Sequence, residues 1–103
     1  MLFASAVSAE ELISVTVRDA DFTVIQQIEG KRELAAFKEL FENRIETKKS
    51  KYTKWVYKVD INPGDRWLYN KSGHFTVLSK ANTPVYKVNS VSEMNAVLGI
   101  HNK

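Results

Sequence analysis

Hydrophobic and polar residues alternate most clearly from Lys54 to Ile61. In an extended chain successive side chains point to opposite faces. Trp55, Tyr57, Val59 and Ile61 therefore share one face, and Lys54, Val56, Lys58 and Asp60 share the other. One apolar, aromatic face against one mostly charged face predicts a half-buried antiparallel strand. Asn62-Pro63-Gly64-Asp65 then reads as a type II turn, because proline presets φ and glycine tolerates a positive φ. The chain returns through Arg66-Trp67-Leu68-Tyr69. It turns again at Asn70-Lys71-Ser72-Gly73, runs out from His74 to Lys80, breaks at Ala81 to Pro84, and ends this region with Val85-Tyr86-Lys87-Val88. Connections this short predict sequential antiparallel pairing, since a parallel crossover needs a dozen or more residues. Lys54–Val88 is thus predicted to be a meander, the centre of the fold.

The same alternation marks Leu12 to Arg18, with Ile13, Val15 and Val17 on one face. Asp19-Ala20-Asp21 reads as a turn or bulge. Phe22 to Ile28 fits a second strand, favoured by the β-branched run Thr23-Val24-Ile25; the spacing of Ile25 and Ile28 also fits the start of the following helix. From Lys31 to Thr47 the period changes. Leu34, Phe37, Leu40, Phe41 and Ile45 recur at spacings of three and four, which predicts one amphipathic helix with a single apolar stripe. Lys48 and Lys49 would then favour the negative end of its dipole. Ser90-Val91-Ser92-Glu93 is a capping-box pattern. It opens a short C-terminal helix carrying Met94, Val97 and Leu98, with Gly99 as its left-handed terminator. The fold class expected is α+β: a mostly antiparallel sheet, built from the meander plus an N-terminal strand or strands. The long helix packs on one face, and the short helix closes an edge or end of the core.

Length and composition narrow the picture. The chain has 103 residues, 44% of them apolar and 26% charged, the proportions of one ordinary globular domain. It has no cysteine, which removes disulfides, a thiol nucleophile and thiolate zinc sites from consideration. No apolar run approaches the length of a membrane-spanning helix. Residues 1–9 (Met-Leu-Phe-Ala-Ser-Ala-Val-Ser-Ala) resemble the end of a secretory signal peptide, with Val7 and Ala9 at the positions of small residues before a cut. A basic leading region is missing, and Ser8-Ala9-Glu10-Glu11 also fits a helix cap. The expected organisation is a leader remnant at 1–9 followed by one α+β domain at 10–103. A periplasmic or secreted location is expected, with the cytoplasm as the alternative.

The net charge is only +3, but it is unevenly spread. Lys48, Lys49, Lys51, Lys54 and Lys58 fall within eleven residues that contain no acid, interleaved with Tyr52, Trp55 and Tyr57. Cations beside rings suit an anionic partner: an acidic protein, an anionic polymer, or single-stranded nucleic acid stacking on exposed aromatics. Alternation argues for a plainer role, since it turns the rings and the lysines to opposite faces. If the lysines are only a solvated face, the next candidates are Trp67, Tyr69 and Tyr86.

Catalytic and metal chemistry find little footing. His74 and His101 are the only histidines and are not spaced as ligands. Asp60 to Asp65 has the look of a calcium loop but lacks the third acidic ligand, and Lys71 stands where its bidentate glutamate belongs. Nucleophile-elbow and glycine-rich phosphate motifs are absent. Asn70-Lys71-Ser72 matches a glycosylation sequon, but its turn role explains it more simply. The expectation is a small exported domain, not an enzyme, without cofactor or metal. It binds another macromolecule through an exposed sheet surface, with Lys48, Lys49, Lys51, Lys54, Lys58, Trp67 and Tyr69 as candidate contacts. The alternative is a cytosolic nucleic-acid-binding module using Lys48–Lys58.

Overall fold

The computed structural model describes residues 12–48, 54–78 and 83–100. Among these residues seven strands and two helices follow in chain order. They are β1 (Ser14–Arg18), β2 (Val24–Ile28), α1 (Lys31–Glu42), β3 (Ile45–Thr47), β4 (Tyr57–Asn62), β5 (Arg66–Asn70), β6 (His74–Val77), β7 (Val85–Lys87) and α2 (Val91–Val97). The strands form one antiparallel sheet in the order β2-β1-β4-β5-β6-β7-β3. The expected meander is β4 to β7, and the N-terminal hairpin β1–β2 adds to its β4 side. The α+β class stands.

Both helices lie on the same side of the sheet. Leu34 and Phe37 from α1, and Met94 from α2 with Leu98 at its C-cap, join one core with Val15, Val17, Val59, Ile61, Tyr69 and Phe75. The short C-terminal helix is therefore a second cover for the sheet beside α1, where an edge or end had been expected. Rings dominate the centre. Phe37 stacks on Phe41 at 5.3 Å, and Phe41 meets Trp67 and Phe75 edge-on at 5.0 and 5.1 Å.

The long helix stops five residues earlier than its apolar spacing predicts. Asn43 closes it, with its backbone N–H and its side-chain Nδ2 both donating to the Glu39 carbonyl, at 3.3 and 2.9 Å. Arg44 donates from its backbone and from Nη1 to the Phe41 carbonyl, at 3.2 and 2.8 Å. These bonds satisfy carbonyls that a helix end leaves open. Ile45, expected in the buried stripe, instead begins β3, pairs with Lys87, and is 62% exposed. Lys48 consequently sits beyond a strand and not at a helix C-terminus.

Several local expectations change in detail. Phe22 lies outside β2, in a turn, at φ 64°. Gly64 takes φ 144°, away from the roughly +80° that a type II turn asks of this position. Ser90 is the N-cap of α2, yet its side chain makes no cap bond; its carbonyl accepts from Met94 N at 3.0 Å. Gly99 has the left-handed φ of 74° expected of a helix terminator.

Candidate binding surface

One face of the sheet carries both helices, and residue registers define what remains on the other. Arg18 lies opposite Lys58, Lys58 opposite Leu68, Leu68 opposite Thr76, Thr76 opposite Val85, and Val85 opposite Thr47. This row crosses the helix-free face. A second row runs Thr16–Asp60–Arg66 and a third runs Asn70–His74–Lys87–Ile45. Thr76 and Val85 are buried, because Thr83 and Pro84 fold over them: Thr76 Oγ1 lies 2.8 Å from Thr83 Oγ1 and donates to the Pro84 carbonyl at 2.9 Å. The bare part of the face is thus centred on β1, β4 and β5.

Its polar centre is Asp60. Arg66 grips the carboxylate through Nε on Oδ1 and through Nη2 on Oδ2 at 3.0 Å, and Arg18 Nε reaches Oδ2 at 3.3 Å. The Arg66 hydrogen bond is the main reason the Asp60 carboxyl is held below its ordinary range, and the same contact raises Arg66. Arg18 Nη1 also donates to the Phe22 carbonyl at 3.3 Å. That carbonyl belongs to a turn organised by Asp19, whose Oδ1 accepts from the Asp21 and Thr23 amides at 2.9 and 3.0 Å. The turn presents the Phe22 ring, 52% exposed, with Lys58 Nζ 4.3 Å and Arg66 Cζ 5.6 Å from its centroid. An exposed ring flanked by cations is the result.

The linkage of Asp60 has a definite sign. Its folded pKa lies below its unfolded one, so its contribution is whole above about pH 4 and is lost as pH falls through the lower folded value. Asp60→Asn is expected to lower stability at pH 7 by about 1 kcal/mol or less, since the pair is partly solvated. Urea midpoints at pH 7 and pH 3 check this: the gap between the two proteins should narrow at pH 3. A gap of constant size would show that the charge of Asp60 does not carry the contribution.

The residues singled out from sequence separate in space. Lys58 belongs to the bare face. Lys54 is exposed just ahead of β4. Lys48 is exposed after β3, four strand steps from β4, roughly 19 Å at about 4.8 Å per step. Lys49 and Lys51 lie outside the described residues. Trp67 and Tyr69 are corrected: paired with Val59 and Tyr57, they point to the helix-covered side. Tyr69 is fully buried, and its hydroxyl donates to Asn95 Oδ1 at 2.5 Å. Burial, with Tyr57 as a smaller cause, pushes its pKa up. Trp67 is half-buried and already occupied. The Arg44 guanidinium lies 4.0 Å from the Phe41 ring, 5.1 Å from Trp67 and 4.8 Å from Tyr86, and desolvation lowers its pKa.

Sequence reasoning missed Arg18, Arg66 and Phe22. An alternation count over Arg66-Trp67-Leu68-Tyr69, placed against the preceding strand, would have turned Arg66 outward. Among the described residues no group of three or more His, Asp or Glu side chains is placed to hold a metal ion. No helix among them is long and apolar enough to cross a membrane. His74, at the start of β6, has its pKa lowered by burial and then by Lys87. Its Nδ1 lies 3.1 Å from Ser72 Oγ, and among the described residues no carboxylate is hydrogen-bonded to either. Comparison with known proteins gives no match: no family model matches the chain, and neither a curated protein nor a solved structure does.

Proposed function

We propose that the chain is a small exported binding domain, not an enzyme, which docks an acidic protein surface on the helix-free face of its sheet. The observation that carries this reading is the cluster of Arg18, Lys58 and Arg66 about Asp60, beside the exposed Phe22 ring. The Asp60 bridge holds both guanidinium groups in place, which lowers the entropy lost when they engage a partner. The ring adds an apolar contact at the margin, and aromatic and arginine side chains are the usual anchors of protein interfaces. Export rests on the leader-like residues ahead of Glu10. A secreted or periplasmic product whose intact mass begins at Glu10 supports that part, and a cytosolic product beginning at Met1 contradicts it.

Nucleic acid is the weaker reading. Single strands are held by stacking on exposed rings. The strand aromatics Tyr57, Trp67, Tyr69, Phe75 and Tyr86 share the helix-covered side, as their registers require. Asp60 also sits where a phosphate would lie. Fluorescence anisotropy separates the two with a labelled oligo-glutamate peptide and a labelled oligothymidylate of equal charge. The peptide is expected to bind at low salt, to weaken as salt is raised, and to bind at least as well as the oligonucleotide. The double reversal Lys58→Glu/Arg66→Glu should weaken it at least about tenfold. Peptide affinity untouched by the reversal would remove this face from the account.

A further inference from the structure

The sheet ends on β3, and the hydrogen bonds fix which way the backbone of that strand faces. Val88 N donates to the Gly73 carbonyl at 3.0 Å, a bond in the same register as the β6–β7 pairing. In an antiparallel ladder, bonded and non-bonded pairs alternate. Phe75 and Tyr86 are therefore a bonded pair, and Tyr86 turns its N–H and C=O toward β6. Val85 and Lys87 then turn theirs toward β3, to Thr47 and Ile45. Between those two, Glu46 turns its N–H and C=O away from β7, to the side where no described strand pairs, and one further extended step past Thr47, the last paired residue, turns those of Lys48 the same way. Neither Glu46 nor Lys48 belongs to an ion pair among the described residues, and both are exposed.

We infer that β3 is a homodimer edge, on which a second copy of this chain pairs antiparallel about a two-fold axis at Thr47. In that register Thr47 faces Thr47 as a non-bonded pair. Glu46 of each copy faces Lys48 of the other as a bonded pair. Among the described residues, those that turn their backbone groups to this edge are thus the ones whose side-chain charges are complementary, and the Glu46–Lys48 ion pair forms twice by symmetry. An axis at Glu46 would satisfy the same backbone groups but set two carboxylates directly opposite, which is unfavourable. The interface is isologous and closed. It joins two sheets edge to edge, so two copies of the Arg18–Lys58–Arg66 cluster would belong to one continuous sheet. The contact goes beyond the binding reading above and does not depend on it.

Sedimentation equilibrium on the full chain tests the contact, at concentrations up to about 1 mM, the weak end of measurable affinity. Wild type is expected to show a monomer–dimer equilibrium. Glu46→Lys or Lys48→Glu alone sets like charges opposite each other twice and should weaken it at least about tenfold. The double exchange Glu46→Lys/Lys48→Glu restores opposite charges and should recover most of the loss. Glu46→Pro removes an outward N–H without touching the β7 ladder, so it should leave the circular dichroism of the monomer unchanged and abolish dimers. A chain monomeric throughout, or a dimer indifferent to these changes, overturns the inference. Failure of the exchange to rescue overturns the Thr47 register.

Discussion

Replacing Phe37 by alanine is expected to cost about 3–5 kcal/mol, the range for truncating a buried aromatic side chain. Phe37 is fully buried, stacked on Phe41, and points from α1 into the centre of the sheet. Removing its ring leaves a cavity beneath α1 beside Phe41, which is itself held edge-on by Trp67 and Phe75 and collapses poorly into the space. The loss is a large part of the roughly 5–15 kcal/mol that stabilises a small domain. Ile45→Ala is the natural control. Both positions lie on the apolar stripe read from sequence, but Ile45 is mostly exposed on β3, and its truncation should stay within about 0.5 kcal/mol. Denaturant midpoints of the two variants decide the matter. Equal losses would mean that the stripe continues as one helix through Ile45.

The β5–β6 turn should be nearly as intolerant. Gly73 has φ 94°, and a Cβ there would stand 2.7 Å from Val91 Cγ2 and 3.3 Å from Val88 Cγ2. The turn is tied down on every side. Asn70 Oδ1 accepts from the Ser72 amide, the Ser72 hydroxyl and the His74 amide, at 3.2, 2.8 and 3.2 Å, and Gly73 N donates to the Asn70 carbonyl at 2.9 Å. Gly73 therefore cannot move off the start of α2 without breaking these bonds. Gly73→Ala combines an unfavourable backbone region with overpacking, and is expected to cost about 2–4 kcal/mol. Thermal unfolding measures it. A variant as stable as wild type would show that α2 does not pack on this turn as closely as described.

The meander was legible in the sequence because its causes are local: alternation sets the inner face, and the short polar breaks at Asn62–Asp65 and Asn70–Gly73 force neighbours to pair. The end of α1 was not. Ile45 satisfies helical spacing and strand propensity equally well, and the choice is made by Lys87, its partner far along the chain. Arg44 adds to it by settling among Phe41, Trp67 and Tyr86, rings from α1 and two strands. The binding surface was partly legible for the same reason. Lys58 follows from alternation alone. Arg66 meets Asp60 across the local β4–β5 hairpin, but Arg18 reaches it only because β1 inserts beside β4, a pairing that no local pattern announces. Clustering along the sequence instead grouped Lys58 with Lys48, which the strand order sends to the β3 edge, four strand steps away.

An amide chemical-shift titration of the isotopically labelled chain with the oligo-glutamate peptide tests the central claim most directly. The account expects saturable, salt-sensitive shifts at Arg18, Phe22, Lys58, Asp60, Arg66 and Leu68, with α1 and α2 unmoved. Shifts confined to the helices, or scattered without saturation, would contradict it.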